Sequence, residues 1–135
     1  MKDNKGFSLI ELIIVVGIMA VLCVLIAPNL MQYLATTKEK ADEINREEIM
    51  KVMYRACGQI GTKVEDAPCD TWIELKEGCS LYNASEIDTT TNTMQSFAGY
   101  VASEMKEIPK SKVTGDYFWV KITKDAEGKY MVEVK

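Results

Sequence analysis

The chain of 135 residues contains no histidine. This absence excludes histidine metal sites, Ser-His-Asp and Cys-His nucleophilic catalysis, and histidine as a general acid or base. The sequence also has no glycine loop of the kind that cradles phosphates, and no Cys-x-x-Cys spacing that would favour a metal site. We therefore predict no catalytic residue, no metal ligand and no cofactor.

An excess of basic charge is also missing. The chain has 16 Lys and Arg against 20 Asp and Glu, for a net charge of −4. Because affinity for nucleic-acid phosphates depends on clustered Lys and Arg, we predict that nucleic acid is not the main ligand. The acidic residues Asp116, Asp125 and Glu127 are too sparse to indicate a calcium loop.

Charge is almost absent from the first third of the chain. Between Gly6 and Thr37 the only charged residue is Glu11, and residues 12–27 are all Leu, Ile, Val, Met, Ala, Gly or Cys. About 20 apolar residues suffice for a helix that spans a membrane. A carboxylate within such a helix costs about 2.5–3.5 kcal/mol at the bilayer centre, and it indicates a functional site.

Two ordinary explanations compete for this segment. A secretory signal would have a basic head, an apolar run and then a small-x-small cleavage site, but Ala27 is followed directly by Pro28, and the helical pattern continues beyond it. A plain single-span membrane anchor is the other explanation. Neither accounts for Glu11 or for the junction between Gly6 and Phe7.

The segment Lys5–Glu11, the apolar run and Pro28 together resemble the class III leader of type IV pilins and pseudopilins. The resemblance implies that a prepilin peptidase cuts after Gly6 and N-methylates the new terminal residue, Phe7, while the apolar helix is retained. It also implies that Glu11 neutralises the Phe7 amine of a neighbouring subunit during filament assembly. A buried carboxylate is tolerated when it is paired in this way.

The resemblance further implies partners, location and function. The partners are the prepilin peptidase, copies of the chain itself and other pilins, the inner-membrane assembly platform, and the membrane before assembly. The chain would be a single-pass membrane protein first, and part of an extracellular pilus or a cell-envelope pseudopilus afterwards. We predict a structural, non-enzymatic subunit of a type IV pilus that serves adhesion, motility or aggregation. The alternatives are a pseudopilin of a type II secretion or DNA-uptake system, and an unprocessed single-span membrane protein.

The predicted fold is α+β, with the lollipop shape of the pilin family: a long N-terminal helix packed on a small antiparallel sheet. The predicted divisions are a leader at 1–6, a transmembrane or filament-core helix at 7–28, an amphipathic stem helix at 29–57 and a globular head at 58–135. Pro28 should kink the helix, because it removes a backbone donor and clashes with the preceding turn. The resemblance implies that the helix can unwind there within a filament.

The stem helix should pack an apolar stripe under the head and turn its charged residues, Asp42 among them, toward solvent or a neighbouring subunit. The predicted stripe comprises Leu30, Leu34, Ala41, Ile44, Ile49, Val52, Met53, Ala56 and Ile60.

In the head, Thr71–Leu75 is a short strand candidate, and apolar residues at helical spacing predict a second helix between Met94 and Met105. The Thr-rich run 88–92 is the predicted N-cap region of that helix. Alternation within 117–123 and 129–134, with a turn at 124–128, predicts a C-terminal β-hairpin.

Three cysteines lie outside the apolar run, at Cys57, Cys69 and Cys79. One disulfide among them is predicted, with the pairing left open, and free thiols are the alternative. A Cys69–Cys79 bond would close the shortest loop. A bond from Cys57 to either partner would tie the stem helix to the head.

Overall fold

The computed structural model describes residues 6–89 and 94–135. The elements are α1 (Leu9–Gly58), β1 (Trp72–Glu74), a 3₁₀ turn (Ala84–Glu86), α2 (Phe97–Glu104), β2 (Trp119–Lys124) and β3 (Tyr130–Val134). The chain divides into an N-terminal unit, Met1–Thr37, and a C-terminal unit, Lys38–Lys135. The predicted α+β class is confirmed, because the second half of the long N-terminal helix packs against a three-stranded antiparallel sheet.

In the N-terminal unit, every residue from Gly6 to Thr37 is exposed. Leu, Met and Ala favour a helix there, although the β-branched residues Ile and Val are also frequent. The helix α1 is long and apolar enough to cross a membrane. Pro28 lies inside α1 and does not end it. The kink and the unwinding expected at Pro28 stay predictions.

In the C-terminal unit, α1 buries one face against the core. The stripe predicted for this face is confirmed at Ile49, Val52, Met53 and Ala56, which are all at most 3% exposed.

The predicted stripe is wrong at Ile44, which is 65% exposed. Ile44 lies five residues before Ile49, and so about 140° around the helix from it. Asp42 lies seven residues before Ile49, and so only about 20° around the helix from it. Asp42, and not Ile44, is therefore the residue that is buried on this face. Leu30 and Leu34 are also exposed, and both belong to the N-terminal unit.

The sheet has the order β1-β2-β3, and both pairs are antiparallel. The predicted hairpin is confirmed as β2 and β3, with Ile122 paired to Val132. Val120, Ile122 and Val132 face the core and are nearly fully buried. The predicted first strand is shorter than expected, because only Trp72–Glu74 pairs with β2.

The second helix is confirmed, but its cap is not where it was expected. Ser96 is the N-cap residue of α2, and its Oγ accepts a hydrogen bond from the Gly99 N–H. The Thr-rich run is therefore wrong as the cap, because the helix begins at Phe97 and the cap must be the residue just before it. Residues 90–92 of that run lie outside the described residues.

The contact between α2 and the 3₁₀ turn depends on Gly99. A Cβ atom added at Gly99 would overlap the backbone carbonyl of Glu86. Glycine therefore allows α2 to approach the turn closely.

The outer edge of β3 receives a side chain from α1. The Val132 N–H donates to the Tyr54 hydroxyl over 3.2 Å. Trp119 and Lys135 form a hydrogen-bonded pair, in which each backbone N–H donates to the other residue's carbonyl. Hydrogen-bonded and non-hydrogen-bonded pairs alternate along an antiparallel ladder, so Ile122 and Val132, three pairs further on, form a non-hydrogen-bonded pair. The Val132 N–H consequently points away from β2, and Tyr54 satisfies it.

Candidate functional site: the first turn of the N-terminal helix

Glu11 lies in the first turn of α1 and bonds to the backbone at the start of the helix. The Ser8 N–H donates to the Glu11 carboxylate over 2.8 Å. The Ser8 carbonyl accepts from the Glu11 N–H and the Leu12 N–H over 3.1 and 3.3 Å. Since α1 begins at Leu9, Ser8 is at the N-cap position and Glu11 at the third helical position. This is the spacing of a capping box, in which the acid reaches back to the cap residue.

This arrangement makes a charge near the helix start less costly. The N-terminal end of a helix carries a partial positive charge, and it favours a carboxylate within the first turn. The bond to Ser8 also gives the carboxylate one satisfied acceptor without any other molecule. Glu11 is exposed, so its carboxylate is accessible to an amine or another donor.

Gly6 and Phe7 precede the helix and are accessible. Phe7 is 89% exposed, and nothing lies within 4 Å of the place where a Cβ would stand on Gly6. Residues 1–5 of the predicted leader lie outside the described residues. An accessible, non-helical peptide bond between Gly6 and Phe7 suits a peptidase that cuts there.

The structure brings Ser8 and Glu11 together, and the sequence reasoning missed Ser8. The sequence predicted a partner for Glu11 only in a neighbouring subunit, and none within its own chain. The signal was present, because Ser-x-x-Glu before an apolar run is the sequence pattern of a capping box.

After this turn, α1 presents apolar side chains on all sides. We call residues Leu9–Leu34 the apolar segment. Within it Val24 is 74% exposed and Leu25 is 64% exposed, so no face is covered by the chain's own residues. Lipid or other apolar helices are the surroundings that such a surface requires.

A second polar cluster surrounds Asp42, which is only 4% exposed. Its carboxylate accepts hydrogen bonds from the Ser111 hydroxyl and from the N–H groups of Lys112 and Val113. Burial opposes ionisation, but these three bonds, with the charge of Arg46, lower the pKa of Asp42 below its ordinary value. The cluster ties α1 to the loop before β2, and its role is structural.

The cysteines are free thiols in this structure. Cys57 is buried, Cys69 and Cys79 are half-buried, and Cys23 is exposed in the apolar segment. The predicted disulfide stays a prediction. Across residues 6–89 and 94–135, no group of three or more Cys, Asp or Glu side chains is placed to hold a metal ion.

Comparison with known proteins agrees with this geometry at the N-terminus. Residues 1–27 match the family model described as the prokaryotic N-terminal methylation motif. No curated protein and no solved structure shows a significant match to the chain.

The chain thus carries the class III prepilin leader that is typical of type IV pilins and pseudopilins. This leader at residues 1–27 and the long helix packed on a small antiparallel sheet are both features of type IV pilin-like proteins. The leader implies processing by a prepilin peptidase and assembly into filaments. Type IV pilins and pseudopilins are structural and not enzymatic. The apolar helix with this leader is consistent with a membrane location, followed by a pilus or the cell envelope.

Proposed function

We propose that the chain is a structural subunit of a type IV pilus. The observation that carries the proposal is the pairing of a fully exposed apolar segment with one carboxylate in its first turn. An exposed apolar helix needs lipid before assembly and neighbouring helices after it. The carboxylate then supplies the register between neighbours.

Processing creates the partner for that carboxylate. Cleavage after Gly6 removes Lys2, Asp3 and Lys5 and leaves Phe7 as the new N-terminus, so the side-chain charge of the mature chain becomes −5. The same enzyme methylates the Phe7 amine, which keeps its positive charge. In a subunit packed alongside, this amine meets the Glu11 carboxylate.

The pairing of Glu11 with the Phe7 amine should set the register between subunits more than it stabilises the filament. An unpaired charge in hydrocarbon is strongly disfavoured, whereas a paired one roughly offsets its own desolvation. Only the arrangement that brings Glu11 to a Phe7 amine avoids the unpaired state. In a subunit that is out of register by one helical turn, the Glu11 carboxylate and the Phe7 amine would both be unpaired.

Substitution of Glu11 tests this role. Glu11→Ala should still be inserted, cleaved and folded, but the yield of sheared filaments should fall by at least roughly tenfold. Each added subunit would then bind at least about tenfold more weakly, which is about 1.4 kcal/mol. Glu43→Ala is the matched control, because Glu43 is an exposed acid further along the same helix. Normal filament yield from Glu11→Ala would contradict the proposed pairing.

Mass spectrometry of the purified chain tests the processing step separately. We expect loss of Met1–Gly6 and one methyl group on Phe7. An intact N-terminus in cells that contain the peptidase would contradict the cleavage.

A pseudopilin would use the same leader and the same assembly chemistry, so the choice between pilus and pseudopilus needs its own measurement. An epitope on the C-terminal unit should be found along sheared surface fibres at native expression levels. If no long fibre carries the epitope, the pilus proposal is wrong and the pseudopilin is favoured.

A further inference from the structure

We propose that Cys57 and Cys69 form a disulfide in an oxidising compartment, joining the last turn of α1 to the loop before β1. This inference rests on the C-terminal unit alone and does not depend on the proposed function. The positions of both residues follow from backbone contacts on either side of one cross-strand pair.

The position of Cys57 follows from the contacts of α1. Cys57 is 8% exposed and lies in the core cluster. Tyr54, three residues earlier and so on the same side of the helix, bonds through its hydroxyl to the Val132 N–H. The last turn of α1 therefore lies beside β3 at Val132.

The position of Cys69 follows from the contacts of β2. Val132 pairs with Ile122, and the Ile122 carbonyl accepts from the Asp70 N–H over 2.8 Å. Cys69 directly precedes Asp70 and packs against the core cluster that contains Cys57. The two cysteines thus approach the same Ile122–Val132 pair from α1 and from the loop.

The pKa values of the two thiols agree with this placement. Burial, with a further contribution from the neighbouring Cys69, raises the pKa of Cys57 to about 11. Burial also raises the pKa of Cys69, and Asp70 adds to that effect.

Cys79 lies at the other end of β1. The Asp70 N–H donates to the Ile122 carbonyl and the Leu75 N–H donates to the Phe118 carbonyl, each over 2.8 Å. Ile122 and Phe118 lie four residues apart along the extended chain of β2, which corresponds to about 13 Å, whereas a disulfide requires Cα atoms within about 7 Å. The strand thus carries the chain away from Cys69 before the turn that holds Cys79. The Cys69–Cys79 pair, although shortest in sequence, is disfavoured.

The oxidation requires a disulfide reagent such as glutathione disulfide. The thiolate of Cys69, the more accessible of the two, attacks one sulfur of the reagent and displaces the first thiolate. The thiolate of Cys57 then attacks the Cys69 sulfur and displaces the second. The protein gives up two protons and two electrons, and the reagent leaves as two thiols. Because both pKa values are raised, the rate should increase as the pH rises above neutrality.

Peptide mapping of the full chain in detergent micelles tests the pairing. The chain is incubated with glutathione disulfide at pH 8, alkylated and cleaved with trypsin, which places Cys57, Cys69 and Cys79 in the separate peptides 56–63, 64–76 and 77–106. We expect 56–63 to be joined to 64–76. A main product that contains 77–106, or complete alkylation of all three peptides, would overturn the proposal.

Thermal unfolding of two variants gives an independent readout. Oxidation should raise the melting temperature of the unmodified chain by roughly 10 °C. Cys79→Ser should keep this shift, and Cys69→Ser should lose it. The opposite pattern would overturn the pairing, and the mapping of the unmodified chain stands whether or not either variant folds.

Discussion

Replacing Asp42 by Asn should destabilise the C-terminal unit while changing almost no volume. In the structure the carboxylate accepts bonds from the Ser111 hydroxyl and from the N–H groups of Lys112 and Val113. Asparagine keeps one acceptor oxygen, but its NH₂ group would face a backbone N–H, and two donors cannot bond to each other.

The size of the effect follows from these contacts. Hydrogen bonds to charged groups contribute about 1.5–3 kcal/mol each. With at least one bond lost and the others weakened, we expect the free energy of unfolding to fall by about 2 kcal/mol. For a unit of this size that corresponds to a melting temperature lower by about 10 °C.

The pH dependence has a definite sign. The native pKa of Asp42 lies below its ordinary value, so its contribution is fully present above the unfolded pKa of about 4. The contribution is lost as the pH falls through the native pKa. The difference in unfolding free energy between the unmodified chain and Asp42→Asn should therefore be constant from pH 5 to 8 and shrink below about pH 4.

Urea unfolding of the full chain in micelles measures this difference. Trp72 and Trp119 both lie in the sheet, so their fluorescence reports on the C-terminal unit. Glu43→Gln, one position further along α1 and exposed, is the matched control and should be neutral. An unchanged midpoint for Asp42→Asn at pH 7, or a difference that does not shrink between pH 5 and pH 3, would refute the reasoning.

Two further changes test the packing of α2. Gly99→Ala should lower stability by about 1–3 kcal/mol in the same urea assay, because the new methyl group overlaps the Glu86 carbonyl; Gly58→Ala, in open space, is its control, and equal midpoints for the two would contradict the close approach. Arg55 and Glu104 form an ion pair of 2.6 Å, but both are partly exposed. A double-mutant cycle should give a coupling below about 1 kcal/mol that weakens with added salt, and a larger, salt-independent value would contradict this account.

Local patterns predicted the elements well where one physical signal dominated. The uncharged run after Glu11 predicted the exposed helix, and alternating apolar residues predicted β2 and β3. Asp42 was missed because a charge on a helix is normally solvent-exposed, and because Ser111 lies 69 residues away in the chain. Which face of α1 is buried, and which residue caps α2, both depend on how distant loops pack against these helices. A short stretch of sequence carries little information about such contacts.

The bond from Val132 to Tyr54 has a consequence for crowding. An open sheet edge offers unpaired N–H and C=O groups on which a strand from another molecule can align, and this is a common start of aggregation. On β3 the outward N–H at the middle of the strand is already occupied by the Tyr54 hydroxyl. Chains held side by side by their apolar segments bring their sheets to very high local concentration. A tyrosine on the helix thus hinders the strand-to-strand association that such crowding would otherwise promote.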